Sequence, residues 1–331
     1  MNWYRNKGNE GDICLSTRVR LARNISVYPF PARLSPEQKR EVGETVRDIL
    51  KDEALSFIDM SALSPAQTVS LAEKHLISPE FACDTQGRSL LLSEEEDTSI
   101  MVCEEDHIRI QTILPGLSLE DAFEQAHRFD KILEGRLSYA FNDKLGYLTQ
   151  CPTNIGTALR ASVMLHLPAL AKKGAMHRLS TTVAKLGLTL RGSYGEGSEV
   201  SGDIYQLSNQ VTLGISEQAA IKNLNSIAMQ IISQEKQARS SLVKDEDYLD
   251  NISRAYGILT SAYKLTSDEL MKLISFVRVG VSEGILSIPA EKLSALTVTL
   301  QPATLNCAAG KTLSRNERDI LRAQKVKEEL A

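Results

Sequence analysis

The sequence lacks the patterns that would place it in a disulfide-stabilised, zinc-binding or membrane class. It has five cysteines in 331 residues, an odd number without a CxxC spacing, so we expect neither a disulfide framework nor a structural zinc site. A reducing cytoplasm is the natural setting for such a chain. No apolar run approaches the ~20 residues of a membrane span, and the polar start MNWYRNKGNEGD lacks the apolar centre of a signal peptide. The histidines have no ligand-like spacing, so no protein-ligated metal ion is expected.

Neither the net charge nor the common phosphate-binding motifs indicate a ligand for this protein. The net charge of −4 provides no general attraction to nucleic acid or to an anionic membrane. AAGKTLS has Leu305 where a P-loop needs its first glycine, and GEGSEV ends in valine where GxGxxG needs glycine. The clusters of arginine in this sequence therefore need a local explanation.

Hydrophobic periodicity predicts an α+β fold. We expect an antiparallel sheet flanked by helices over residues 1–239, followed by a small all-helical domain over residues 240–331. Residues 13–21 alternate as a strand, and SIMVCEEDHIRIQTI (99–113) is predicted to form one continuous strand. A helix is expected after the CPTN turn at 151–154. Further helices are predicted near 246–263, 267–284 and 314–330, the last two opened by capping boxes.

Five arginines occur on predicted strand faces or at the ends of elements. Arg18 and Arg20 share one strand face, where like charges repel unless an anion lies over them, although a solvated edge strand would also tolerate the pair. Arg109, Arg160 and Arg191 follow in other segments. Guanidinium groups bind phosphate oxygens through paired hydrogen bonds, so the five together would suit a triphosphate.

Two further residue types suggest chemistry. Alternation within CEEDHIRIQ places Glu105, His107 and Arg109 on one strand face, as an ordinary surface ion pair or as part of a site. Cys151 precedes Pro152 at an expected helix start, which would lower the thiol pKa. A lone cysteine is more often a small core residue, and that alternative stays open.

The segments STRVRLARN, EEDHIRIQ, CPTNIGTALRASVM and RGSYGEGSE, in this order, resemble the phosphagen (guanidino) kinases, whose hallmark is CP[ST]N. The resemblance covers roughly residues 12–238. It implies a phosphotransferase that uses ATP with Mg²⁺ bound through the nucleotide. It also implies that Glu105 is the catalytic carboxylate, that Glu196 is a second acid near the guanidine, and that Cys151 faces the substrate guanidinium.

The resemblance further assigns a nucleotide site. Its implied members are Ser16, Thr17, Arg18, Val19, Arg20, His75, Arg109, Arg160, Ala161, Ser162, Val163, Met164, Arg191, Gly192, Ser193, Tyr194, Gly195 and Glu196.

In three features the sequence departs from the metabolite kinases and resembles the bacterial protein-arginine kinase branch of this family. The small N-terminal helical domain of the metabolite kinases is missing, an extra helical C-terminal domain is present, and Met164 stands where creatine kinases have histidine. RDILRA also matches the RDxxRA motif of that branch, although Arg318 and Arg322 at i and i+4 would suit any solvated helix. The implied phospho-arginine pocket consists of Arg318, Asp319, Ile320, Leu321, Arg322 and Ala323.

The resemblance therefore implies phosphorylation of arginine side chains in proteins, marking them for Clp proteolysis and inactivating a stress repressor. Implied partners are exposed arginines of protein substrates, a McsA-type activator, the CtsR repressor, the ClpC unfoldase and a second copy of the chain in a dimer or higher oligomer. A small-molecule guanidino kinase for energy buffering is the alternative enzyme. A phospho-arginine-binding adaptor with an inactive kinase domain is the non-enzymatic alternative.

Overall fold

An antiparallel sheet forms the centre of the protein, whose computed structural model describes residues 2–192 and 201–330. Within these residues the strands, in chain order, are β1 (Cys14–Arg23), β2 (Leu55–Asp59), β3 (Ser89–Ser93), β4 (Thr98–Val102), β5 (Ile108–Pro115), β6 (Phe141–Asn142), β7 (Gly146–Tyr147), β8 (Leu159–His166), β9 (Leu188–Gly192) and β10 (Ile204–Asn209). Eight of them form one sheet in the order β2-β3-β4-β5-β1-β8-β10-β9, and β6 pairs with β7 in a separate hairpin. The predicted α+β class is confirmed.

Helices flank this sheet and continue to the C-terminus. In the described residues they are α1 (Pro36–Ile49), α2 (Pro65–Glu73), α3 (Pro79–Cys83), α4 (Leu119–Glu134), α5 (Pro168–Lys172), α6 (Met176–Ala184), α7 (Glu217–Leu242), α8 (Glu246–Ser261), α9 (Ser267–Ser282), α10 (Ala290–Thr299), α11 (Pro302–Ala309) and α12 (Arg315–Leu330). No helix among these residues is both long and apolar enough to cross a lipid bilayer.

The two faces of the central strand β1 differ because successive side chains point to opposite sides. Val19 and Leu21 are fully buried in the main core, against α4 and its neighbours. Arg18 and Arg20 point to the other face. The alternation read from residues 13–21 therefore places the arginines on the face that α4 leaves free.

The single strand predicted over residues 99–113 is wrong. It is two strands, β4 and β5, joined by a turn at 103–107 in which Cys103 has a positive φ of 60° and its N–H donates to the carbonyl of His107. Asp106 and His107 are both buried, so the alternation stops there. Glu105 consequently lies in a turn and does not share a strand face with His107 and Arg109.

The helix expected after CPTN is also wrong. Pro152–Asn154 form one 3₁₀ turn, and Arg160 lies on β8, which pairs with both β1 and β10. Leu159, Ala161 and Val163 are buried at alternate positions. This period of two, at the centre of the sheet, outweighs the helical appearance of the segment.

The core of the sheet region extends into the C-terminal helices. Tyr248, Ile252 and Val279 from α8 and α9 belong to the same buried cluster as the strands β1, β5 and β8. A second apolar cluster joins α8, α9, α10 and α12, including Leu259, Leu293 and Val326. The helical region is thus packed against the sheet region rather than tethered beside it.

Candidate active site

All five predicted arginines lie on one face of the sheet, which we call the arginine face. In the β-sheet register Arg20 is opposite Arg160, and it is also opposite Gln111 on β5, two residues from Arg109. Arg18 is two residues from Arg20 on β1. Arg191 on β9 is opposite Gln206 on β10, which is in turn opposite Met164 on β8, so Arg191 is on the same face. Directly opposed residues share a face, so the neighbouring strands β5, β1 and β8, together with β9, present guanidinium groups to the same side.

This face carries positive charge that its own side chains neutralise only in part. Burial, and then repulsion by Arg109, lower the pKa of Arg18 to about 10. Burial lowers the pKa of Arg20 well below its ordinary value, with Arg18 adding to the effect. Arg18 donates to the amide oxygen of Gln206 at 3.2 Å, whereas Nε of Arg20 is buried and finds no acceptor in the described part of the chain. A ligand with several anionic oxygens would relieve this repulsion.

The arginine face ends, at the start of β1, in less polar side chains. Ser16 is opposite Met164 on β8 in the register, and both line a narrow cleft with His75 and Arg18. His75 sits in a tight turn with a positive φ of 62°. Burial, and then the charge of Arg18, lower the pKa of His75 to about 4, so its ring is neutral at pH 7. This end suits a neutral ring better than a phosphate.

Four residues that are predicted to line the nucleotide site have side chains that point away from the arginine face, and their place in that site stays a prediction. Thr17, Val19, Ala161 and Val163 alternate with the arginines and are buried on the opposite side of the sheet. The hydroxyl of Thr17, for example, donates to the carbonyl of Gly116 at 2.7 Å. A continuous motif on a strand contains residues of both faces, because successive side chains point to opposite sides of the sheet. Only alternate residues of the motif can therefore present their side chains to a ligand.

The turn between β4 and β5 holds Glu105 beside the arginine face. Its carboxylate accepts from Arg109 at 3.1 Å, and the neighbouring Glu104 pairs with the same guanidinium at 2.5 Å. Burial raises the pKa of Glu105, with the charge of Arg109 opposing the effect. Glu105 lines an open cleft of about 610 Å³ with Glu104, Arg109 and Gln150. A partly desolvated carboxylate at the edge of an open cleft can accept a proton from a cationic ligand.

Residues that sequence reasoning did not select fix this turn. Asp106 is fully buried, and its Oδ1 accepts from the side chain of Asn24 at 2.6 Å and from the backbone N–H of Gln150 at 2.9 Å. His107 accepts from the N–H of Ile25 through Nδ1 and donates from Nε2 to the carbonyl of Pro29. Asp106 therefore ties the Glu105 turn to the residue before Cys151. Only the acidic run itself hinted at this in the sequence.

Cys151 begins the 3₁₀ turn, half-buried, with its sulfur 3.1 Å from the hydroxyl of Thr153. A single 3₁₀ turn has too few aligned peptides for the helix dipole that we expected to act on the thiol. The turn is instead anchored by Arg160, whose Nε donates to Asn154 at 3.0 Å. Gly156 follows with a φ of 116°, and a Cβ there would meet the carbonyl of Thr212. The loop is thus held rigidly next to the arginine face.

The glycine-rich segment is described only at its ends. Arg191 and Gly192 close β9, and β10 starts at Ile204. The predicted residues Ser193, Tyr194, Gly195 and Glu196 lie outside the described residues.

The RDILRA segment lies on α12, and its two arginines are more buried than those of a solvated helix face would be. Arg322 is 1% exposed and donates to the carbonyls of Leu300 and Leu265 as well as to Asp319. Arg318 is half-buried and donates to the carbonyl of Leu313 at 2.7 Å. The remaining members, Ile320 and Leu321, are half-buried, and Ala323 is fully buried. A phospho-arginine ligand could therefore meet Arg318 directly, but Arg322 only at its edge.

Comparisons with known proteins match both regions of the chain. Residues 38–238 match the family described as ATP:guanido phosphotransferase, C-terminal catalytic domain. Residues 245–331 match the Protein-arginine kinase McsB C-terminal domain. Among relatives, the Protein-arginine kinase of Halothermothrix orenii is 45% identical over 335 residues, covering 99% of this chain and 96% of that protein. That of Pelotomaculum thermopropionicum is 46% identical over 340 residues, covering 100% and 96%.

Solved structures of a taurocyamine kinase and a lombricine kinase have a similar fold. The duplicated taurocyamine kinase from Schistosoma mansoni, with bound transition state analog components, aligns with a TM-score of 0.61 at 28% identity, over 68% of this chain and 33% of that one. Lombricine kinase aligns with a TM-score of 0.62 at 25% identity, over 71% and 69%.

Proposed function

The chain belongs to the ATP:guanido phosphotransferase family, and on that premise we propose that its arginine face and Glu105 turn together phosphorylate arginine side chains of proteins. It is an ATP-dependent protein-arginine kinase, in line with the names of relatives that share nearly its whole length. The observation that carries the proposed site is the gathering of five arginines on one sheet face beside a carboxylate in an open cleft. The metabolite kinases have the same chemistry but act on small guanidines.

The arginine face would hold the triphosphate of ATP. Phosphoryl transfer has a loose transition state, so catalysis is mainly positioning and neutralisation of charge. Arg18, Arg20 and Arg160 would bind phosphate oxygens from the sheet, and Arg109 would bridge the phosphates and the Glu105 turn. Mg²⁺, bound through the phosphates, would neutralise a further part of their charge.

The Glu105 turn would prepare the acceptor. A guanidinium has a pKa above ~12, so its nitrogen becomes nucleophilic only as a proton leaves. The acceptor nitrogen attacks the γ-phosphorus, an N–P bond forms, the P–O bond to ADP breaks, and Glu105 takes the proton. Cys151, which follows the cleft residue Gln150, would face the substrate guanidinium, and Glu196 would be a second carboxylate for orienting it.

The activity can be tested with the purified chain, ATP and Mg²⁺ on a mixed protein substrate, followed by mass spectrometry of phosphopeptides. We expect phosphate on arginine, lost in acid and stable in base. Glu105→Gln should remove the signal, whereas Glu134→Gln, which changes an exposed carboxylate at the end of α4, should retain it. Efficient phosphorylation of free arginine or creatine with none on protein would instead identify a small-molecule guanidino kinase.

The biological setting is a further part of the proposal. We place the enzyme in a stress pathway in which it marks proteins for Clp proteolysis and inactivates a CtsR repressor, with a McsA-type activator, the ClpC unfoldase and a homodimer. Arg318→Ala is the informative variant for regulation, because Arg318 is half-buried while Arg322 is not accessible. If the RDILRA segment binds phospho-arginine, this variant should keep its basal activity and lose its response to added phospho-arginine.

A further inference from the structure

The C-terminal helices contact the arginine face towards the start of β1, at Ile113, which is opposite Arg18 in the register. Trp3 and Tyr4 at the start of the chain, Ile113 on β5, and Ala295 and Val298 on α10 form a small buried apolar cluster. Ile113 follows Arg109 and Gln111 at alternate positions, so it belongs to the arginine face. Helix α10 therefore packs across that face rather than against the apolar side of the sheet.

A small cavity of about 40 Å³ lies between this end of the face and the helices. Ser16 and Met164 line it from the sheet, and Met271 on α9 and Thr297 on α10 line it from the other side. Ser16, His75 and Met164 also line the adjoining cleft that contains Arg18. The two spaces thus share one wall.

The spacing along β1 fits a nucleotide. Arg20 and Ser16 are four residues apart, which is about 13 Å in an extended strand. A nucleotide whose phosphates contact Arg20 and Arg160 would place its base near Ser16, Met164 and the neutral ring of His75. The base would then lie beside the side chains of α9 and α10 that line this small cavity.

Glu73 holds the two sides of this cavity together. The carboxylate is at the end of α2, two residues before His75, and it accepts hydrogen bonds at the start of α11. Its Oε1 accepts from the N–H of Ala303 at 2.9 Å, and its Oε2 accepts from the N–H and the hydroxyl of Thr304 at 2.7 and 2.8 Å. The hydroxyls of Ser70 and Thr304 are also 3.0 Å apart. A carboxylate on free backbone donors at a helix start is a strong, charge-assisted contact.

We propose that Glu73 is a positioning residue for the nucleotide, which fixes the His75 turn against the C-terminal helices so that these helices form one wall of the base pocket. The inference rests on the proposed function, because it requires ATP on the arginine face. His75 is held from the sheet side by Gln111, which donates to its carbonyl at 2.9 Å, so Glu73 supplies the restraint from the helical side. The base and ribose, rather than the phosphates, would depend on this restraint.

The test compares two ligands for the Glu73→Gln variant: ATP, and inorganic tripolyphosphate, which has the phosphates but no base. The glutamine keeps the shape but loses one acceptor oxygen and the charge. We expect ATP to bind about 10-fold more weakly by calorimetry, and KM for ATP to rise by a similar factor with kcat little changed. The affinity for tripolyphosphate should stay that of the wild type.

Two further variants keep the result interpretable. Glu134→Gln is the matched control and should leave both affinities unchanged. Thr304→Val removes one of the three hydrogen bonds without changing charge, so it should weaken ATP binding alone, by a smaller factor, and it decides the question if Glu73→Gln does not fold. An unchanged ATP affinity, or an equal loss for both ligands, would overturn the inference alone. Wild-type protein that bound neither ligand would overturn the proposed function with it.

Discussion

At the scale of single residues, the environment of Glu105 distinguishes it from the other acids of the EEDH run. Glu104 is buried against Arg109 and Ser78, and Asp106 is buried against Asn24 and a backbone N–H. Glu104 also lines the open cleft, but Glu105 is the exposed member of the run, with 35% of its side chain accessible. Its neighbours are therefore committed to structure, and Glu105 is available for proton transfer.

Glu105→Gln is expected to lower kcat by a factor of about 10² to 10⁴, the usual contribution of a general base. Because burial raises the pKa of Glu105, the acid limb of the wild-type pH–rate profile should lie above the pH at which a free glutamate titrates. Steady-state rates between pH 4 and 9 test both points. A variant with a wild-type rate would exclude Glu105 as the base.

Cys151→Ser is expected to reduce the rate without abolishing it. Transfer to nitrogen needs no covalent enzyme intermediate, so the sulfur contributes only through its contact with the guanidinium. Single-turnover kinetics with saturating ATP measure this effect. Unchanged kinetics would instead indicate that Cys151 is a packing residue held by Thr153.

At the scale of elements, the arginines of strand β1 lower the stability of the ligand-free protein because their like charges are held close together. Arg20 sits between Arg18, Arg109 and Arg160, and its Nε has no acceptor in the residues that the structure describes. Charges held in this way are destabilising unless a counter-ion is present. These arginines therefore serve ligand binding, whereas the opposite face of β1 packs in the main core.

Arg20→Met should therefore stabilise the ligand-free protein by about 1 kcal/mol while it removes most of the activity. The methionine keeps the apolar part of the side chain and removes the repulsion. Urea unfolding and ATP turnover, measured on the same preparation, test the two effects together. A less stable variant would show that Arg20 is neutralised within the protein.

The turn at 103–107 predicts a pH dependence of stability. His107 is buried and must be neutral, because Nδ1 accepts one hydrogen bond and Nε2 donates another, and burial lowers its pKa to about 4. In the unfolded chain the ring takes up a proton near pH 6.5. The unfolded state thus binds more protons between these values, and the contribution of His107 to stability is lost as the pH falls from 6.5 towards 4.

His107→Gln should accordingly show a shallower fall of the free energy of unfolding between pH 7 and pH 5 than the wild type. His177→Gln, at an exposed position on α6, is the control and should follow the wild-type curve. Urea titrations at several pH values give the comparison. Equal slopes in all three proteins would contradict a neutral, buried His107.

At the scale of the whole molecule, buried arginines connect the C-terminal helices to one another and to the sheet region. Arg239 on α7 donates to His166 on β8 and to Ser282 on α9. Arg322 on α12 joins the end of α10 to the connection between α8 and α9 through backbone carbonyls. The division of the chain near residue 240 stays a prediction, since one apolar cluster crosses that point.

Arg322→Met should destabilise the protein by about 3 kcal/mol, because the carbonyls of Leu300 and Leu265 would lose their donor inside the protein. Arg315→Met, at an exposed position at the start of the same helix, should be neutral. Thermal unfolding of both variants provides the measurement. A neutral Arg322→Met would show that Arg322 does not contribute to folding through these carbonyls.

The sequence by itself determined the fold class, the two faces of β1 and the set of chemical groups in the site, because these follow from local periodicity and from motifs with a fixed order. It could not determine the turn at 103–107 or the strand β8, because each depends on what the segment meets in the tertiary structure. The turn is stabilised by the buried hydrogen bonds of Asp106 and His107. The segment 159–166 is a strand because it pairs with β1 on one side and β10 on the other. Only the tertiary structure brought Glu73 to Thr304, which are 231 residues apart. Contacts of that range follow from packing, which no local pattern encodes.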